Sequence, residues 1–234
     1  MTSSMTSRAG KTSHDLADPL ADAVASDHEP SPRRAEILRA AERLLEHYGF
    51  GKTTVADIAR EAQVGVGTVY LEFPSKGAIV AELSVQRYRC VLDAMREASA
   101  GQSRGKRAGK NSGEEPDAVT RLQAMLDVRV KKLASFARKG QHGGDLIRCG
   151  ACPGTEAAHQ RFRDAEETLI AEFLERAVKD GELATSEPRA VARVLQRLYD
   201  SYSTALSRTD SSAAVRRELT VAHDLVIRGL LPRR

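Results

Sequence analysis

The sequence predicts an all-α protein: an N-terminal three-helix unit of helix-turn-helix type, followed by a larger helical C-terminal unit. From residue 33 onward apolar residues recur at three- and four-residue spacing, the period of one helix face. Aromatics make up only 4% of the chain and Trp is absent, while Ala, Leu, Arg and Glu dominate, a composition that favours helix over sheet. Gly, Pro and Ser residues cut the pattern into helix-length pieces.

Residues 1–32 are rich in Ser, Thr, Ala and Asp, carry Pro30 and Pro32 and lack a sustained apolar period, so they read as a disordered N-terminal tail. The first helix follows on Ile37, Ala40, Ala41, Leu44, Leu45 and Tyr48, and Gly49 stops it. Thr54, with Asp57 three positions on, makes a variant capping box that starts a short second helix through Ile58, Ala59 and Ala62. After a turn at Gln63 and Val64, a third helix runs from Gly65 and is kept short by Pro74. Ser75 caps a fourth, with Ile79, Leu83, Tyr88, Val91, Leu92 and Met95 on one stripe to about Ala98. Residues 101–116 hold Gly101, Gly105, Gly109, Gly113 and Pro116 among Lys and Arg, the composition of a loop; its Arg104, Lys106, Arg107 and Lys110 read as a solvated surface. Leu122 to Ala137 mark a fifth helix closed by Gly140, Gly143 and Gly144, and Asp145 to Cys149 allow only a short turn. Ala158 to Phe173 mark a long helix ending before Gly181, and Val191 to Leu206 and Val215 to Leu230 give two last helices with wide apolar faces. The expected division is a tail at 1–32, a helix-turn-helix domain at 33–78, and a ligand-binding and dimerisation domain at 79–234.

Composition narrows the function classes. Apolar residues are 41% and charged residues 29% of the 234, normal for a chain that buries a core, and the net charge of +4 is a mild basic excess. Cys90, Cys149 and Cys152 are too few for a disulfide framework, no early run resembles a signal-peptide core, and no stretch is long and apolar enough to span a bilayer. A cytoplasmic protein with no membrane partner is expected. No P-loop, H-E-x-x-H or dinucleotide fingerprint is present, so the chain reads as a non-enzyme without cofactor or metal. The competing reading is a thiol- or metal-binding redox protein using Cys149 and Cys152, flanked by His142 and His159; one C-x-x-C without a second, and without a βαβ setting, carries it weakly.

Residues 36–83 carry the functional chemistry. A recognition helix must bring its first turn close to base edges, and Gly65 and Gly67 remove the bulk that would hold the backbone away. Thr68 can then reach a base edge or phosphate, while Thr53, Thr54 and Tyr70 offer hydroxyls and Arg33, Arg34, Lys52 and Lys76 offer cations for phosphate oxygens. Residues 33–83 hold as many acids as bases, so binding must rest on local placement.

The run Ile37-Leu38-Arg39-Ala40-Ala41-Glu42-Arg43-Leu44-Leu45 through Tyr48-Gly49-Phe50, then Thr53 to Ala62, Val64-Gly65-Val66-Gly67-Thr68-Val69-Tyr70 and Phe73-Pro74-Ser75-Lys76, resembles the N-terminal domain of the TetR/AcrR family. The resemblance implies a head for double-stranded operator DNA and a divergent helical C-terminal domain that forms a homodimer and binds a small-molecule effector. A repressor released from its operator by that effector is the expected function. Two positions depart from the family pattern: Glu72 puts an acid beside the phosphates unless it faces away, and Gly77 replaces an acid that would favour the start of the fourth helix. The expected effector site lies among the long helices of the C-terminal unit, lined by Tyr88, Val91, Met125, Phe162, Leu169 and Leu198.

Overall fold

The computed structural model describes residues 31–101, 116–146, 153–207 and 212–232, which form eight α-helices with no strand among the described residues. In order these are α1 (Pro32–Lys52), α2 (Val55–Glu61), α3 (Val66–Glu72), α4 (Lys76–Ser99), α5 (Ala118–Ala137), α6 (Pro153–Lys179), α7 (Pro188–Ser207) and α8 (Ser212–Leu230). A 3-10 turn at Gly143–Leu146 lies between α5 and α6. The tail expected at 1–32 falls outside the described residues up to residue 30, as do the basic loop from Arg104 to Lys110 and the Cys149–Cys152 pair.

The helix starts follow from side chains that satisfy otherwise unpaired amides. Ser31 Oγ accepts from the Arg34 amide at 3.0 Å, with Pro32 in the first turn where its missing N–H costs nothing. Thr54 Oγ1 accepts from the Asp57 amide at 3.1 Å, and Asp57 accepts in return from the Thr54 amide at 3.0 Å, which completes the capping box. Those bonds, the Thr54 hydroxyl's first, hold the Asp57 carboxyl below its ordinary range. Ser75 caps α4, and Asp117, a cap missed in the sequence reading, starts α5 four residues before the expected stripe.

Two cores result. Ile37, Leu38, Ile58, Val69 and Phe73 close the three-helix head, together with Ile79, Val80 and Leu83 from the first turns of α4. The rest of α4, with α5, α6, α7 and α8, encloses the larger core of the body. α4 therefore belongs to both, and the head's core reaches past residue 78.

A second connection joins head and body. After α5 the chain turns back onto α1, where the His142 amide donates to the Glu46 carbonyl at 3.0 Å. Gly140, at φ +68, passes so close that a Cβ would sit 2.3 Å from that same carbonyl oxygen; only glycine fits. Leu146 is buried in the head's core, and Ser84 Oγ lies 2.7 Å from its carbonyl oxygen. Arg87 locks the junction: it donates to the Gly143 carbonyl at 3.0 Å, to Glu42 at 3.0 Å, and to Glu46.

Candidate nucleic-acid interface

α2 and α3 meet in a turn at which Gln63 takes φ +55, an unfavourable backbone for a residue with a Cβ. The turn is held by the Val64 amide on the Ala59 carbonyl at 2.9 Å. Val69 and Phe73 anchor α3 to the head's core at 1% exposure each. The opposite face presents Val66, Gly67 and Tyr70 to solvent, with Thr68 half-buried beside them. Gly65 and Gly67 are both exposed and neither has a positive φ. This is a slim helix, fixed from behind, with small residues at its leading end. It is the shape that a major groove admits.

The expected DNA-binding residues fall into two groups. Gly65, Gly67, Thr68 and Tyr70 lie at the open face of α3, while Arg33 in the first turn of α1 and Lys52 at its end are exposed with no acid in ion-pair reach among the described residues. Thr53, Thr54 and Lys76 are turned to other work. The Thr53 side chain is buried and its hydroxyl donates to the Gly49 carbonyl at 2.9 Å. Thr54 spends its hydroxyl on the capping box, 2.6 Å from Asp57 Oδ2. Lys76 Nζ donates to the carbonyls of Phe50 at 2.6 Å and Thr53 at 2.7 Å and sits 4.0 Å from the centre of the Phe50 ring. It clamps the α1–α2 turn to the start of α4.

Arg34 is likewise engaged, with Glu82 and the Glu72 carbonyl as acceptors and the Phe73 ring 3.9 Å below. That arrangement resolves the acid at position 72. Its carboxylate accepts from Ser31 Oγ at 3.1 Å and lies 3.9 Å from Arg34, so the charge is compensated within the head. Sequence reasoning missed Val66 and Leu71, exposed at 43% and 87%, because periodicity alone does not tell an outward apolar residue on a short helix from a core one.

In the body, Tyr88, Val91, Met125 and Phe162 are all at or below 1% exposure, and Leu169 and Leu198 pack against the same core. The Tyr88 and Phe162 rings stack at 4.4 Å, and the Tyr88 hydroxyl lies 3.0 Å from Nδ1 of His159. His159 in turn lines an open cleft of about 650 Å³ between α6 and α7, with Arg163, Arg193, Gln196 and Arg197. The six residues expected to touch an effector therefore form a closed layer, and Tyr88 lies directly behind the wall of that cleft. Beneath its floor Arg129, 1% exposed, pairs with Glu166 and Asp200 and donates to Ser203 Oγ at 3.0 Å. Burial alone would lower the Arg129 pKa, but the two carboxylates hold it above its ordinary value. This ionic knot was invisible in the sequence, since nothing local separates Arg129 from a surface arginine. Cys90 lies 3.3 Å from Lys132 Nζ at a second cleft between α4 and α5. Among the described residues no three His, Cys, Asp or Glu side chains are placed to hold a metal ion, and no helix is long and apolar enough to cross a membrane.

Comparison with known proteins agrees with this geometry. Residues 37–83 match the model of bacterial regulatory proteins of the tetR family. Uncharacterised helix-turn-helix-type transcriptional regulators of Mycobacterium bovis and Mycobacterium tuberculosis are 27% identical over 157 residues, covering 67% of this chain and 68% of theirs. The fold is also similar to that of the fatty acid degradation regulator FadR from Bacillus halodurans, at a TM-score of 0.64 and 18% identity over 86% of this chain and 97% of that one. FadR from Bacillus subtilis in complex with stearoyl-CoA aligns at a TM-score of 0.61 and 17% identity, over 83% of this chain and 98% of that one.

Proposed function

As a TetR-family transcriptional regulator, this chain binds DNA through its N-terminal head, and we propose that it acts as a homodimeric repressor released from its operator by a small molecule. The observation that carries the reading is the outward face of α3: a helix anchored by Val69 and Phe73 whose leading residues are small and whose Tyr70 is exposed. Thr68 and Tyr70 reach bases or phosphates, Gly65 and Gly67 permit the approach, and Arg33 adds a phosphate contact. Thr53, Thr54 and Lys76 serve by holding α2 and the start of α4 in place. Head and body divide within α4.

The dimer is supported by Val194 on α7 and by Val221 and Leu225 on α8, which leave large apolar side chains 58–67% exposed. A two-fold pairing of the last two helices covers them in a four-helix interface. The effector acts on the body. Its contacts with Tyr88, Val91, Met125, Phe162, Leu169 and Leu198 require α4, α6 and α7 to part, and the His159–Tyr88 pair carries that opening to α4 and so to the head. The stearoyl-CoA complex of the Bacillus subtilis relative makes a long-chain acyl-CoA a rational first probe.

The test begins with selection of bound duplexes from a random library by the full chain. Thr68→Ala and Tyr70→Ala should each weaken the selected operator at least tenfold while the helical circular dichroism signal and the mass stay unchanged. Stearoyl-CoA is then titrated into free protein and into the operator complex. If it is the effector, linkage demands that DNA weaken its binding by the factor by which it weakens DNA. Equal affinities in the two titrations would exclude it as the releasing ligand.

A further inference from the structure

The recognition helix carries an apolar knob that the fold does not use. Val66, the first residue of α3, leaves 43% of its surface exposed while Val69 and Phe73 on the opposite face do the packing. The residues on either side of it are bare. A Cβ built on Gly67 would meet nothing within 4 Å, one built on Gly65 would meet only Thr68 Oγ1 at 3.7 Å, and neither glycine has a positive φ. Neither space nor backbone conformation within the chain therefore requires glycine there. The effect is to leave the Val66 isopropyl group without a side chain on either neighbour along the chain, one turn ahead of the exposed Tyr70.

We propose that Val66 reads the 5-methyl group of one thymine in each operator half-site. The proposal rests on the reading that α3 enters the major groove, where the thymine methyl is the apolar group among the base edges. A valine cannot accept or donate a hydrogen bond, so its discrimination there is made by methyl contact and water exclusion. Its side chain is short, and only the two flanking glycines let the backbone come near enough for it to touch. Leu71 is more exposed still, at 87%, but it lies at the far end of α3 next to Glu72, whereas the leading turn is the part that faces the bases. The contact is apolar and draws nothing from the partial charge of the helix end.

The experiment uses the full chain and the operator selected from a random duplex library. Each thymine is replaced singly by deoxyuridine, which removes the methyl group and leaves the pairing unchanged, and binding is followed by fluorescence anisotropy at fixed salt. One thymine position per half-site should lose about fourfold in affinity, the factor that corresponds to one buried methyl group. Val66→Ala should bind thymine and deoxyuridine alike at that position and behave as wild type at every other thymine. Tyr70→Ala should bind more weakly overall yet keep the discrimination. Wild-type indifference to deoxyuridine at every thymine, half-sites without thymine, or discrimination that persists in Val66→Ala would each overturn the assignment while leaving DNA binding by α3 intact. Failure of the library to yield any enriched duplex would instead remove the major-groove reading, and the Val66 contact with it.

Discussion

At the scale of single residues, the head is held by contacts that leave few groups spare. Lys76 gives two of its three N–H bonds to backbone carbonyls, so its removal acts on the protein before it acts on DNA. We expect Lys76→Ala to lower the melting temperature of the head and weaken operator binding, with the slope of log affinity against log salt unchanged. A slope reduced by about one unit would mean that the ammonium also meets a phosphate. Gln63 sits at φ +55 in the helix-turn-helix turn, where a side chain costs about 1 kcal/mol relative to a permitted backbone. Gln63→Gly relieves this at the expense of a more flexible unfolded chain, and the net expected gain is up to about 0.5 kcal/mol in thermal or urea unfolding. A loss of stability would show that the Gln63 side chain makes a compensating contact.

At the scale of elements, α8 is fixed to the body by a mostly apolar seam with one titratable group inside it. His223 stacks on Tyr199 at 5.4 Å between ring centres, and its Nε2 lies 3.9 Å from an Asp127 carboxylate already engaged by Lys131. Burial lowers the His223 pKa from its ordinary 6.5, outweighing Asp127. The sign follows: the folded state binds fewer protons here than the unfolded chain, so stability is fully present above pH 6.5 and falls as the pH drops below it. His223→Phe keeps the stacked ring and should flatten that fall between pH 7 and 5. Wild type and variant falling in parallel would exclude His223 as its origin. The helices themselves were legible in the sequence because caps and stripes are local: Thr54 with Asp57, Ser75 and the apolar run of α4 name their own positions. What could not be read were pairings across the chain. Arg34 and Lys76 look like DNA-facing cations until Glu82 and the α1–α2 turn are brought beside them, and nothing local tells that Tyr88 and Phe162 stack on each other inside the body's core.

At the scale of the whole molecule, the exposed valines and leucine of α7 and α8 are the surface on which the proposed dimer rests. Leu225→Asp, at a position 67% exposed in the isolated chain, should preserve the helical signal while halving the sedimentation mass and abolishing high-affinity operator binding. A Leu225→Asp variant that still sediments as a dimer would place the interface elsewhere. The return of the chain from α5 onto α1 bears on how such a dimer moves. A head joined to its body by α4 alone could swing and twist in any direction, and an effector would merely loosen it. Here the head is gripped a second time, at Glu46 and Arg87, by the segment from Gly140 to Leu146. Two attachment points define an axle, as two hinges do for a door, and most directions of travel are lost. In the proposed dimer, opening of the body would turn each head about that axle, and groove spacing would become a quantity the proposed effector sets.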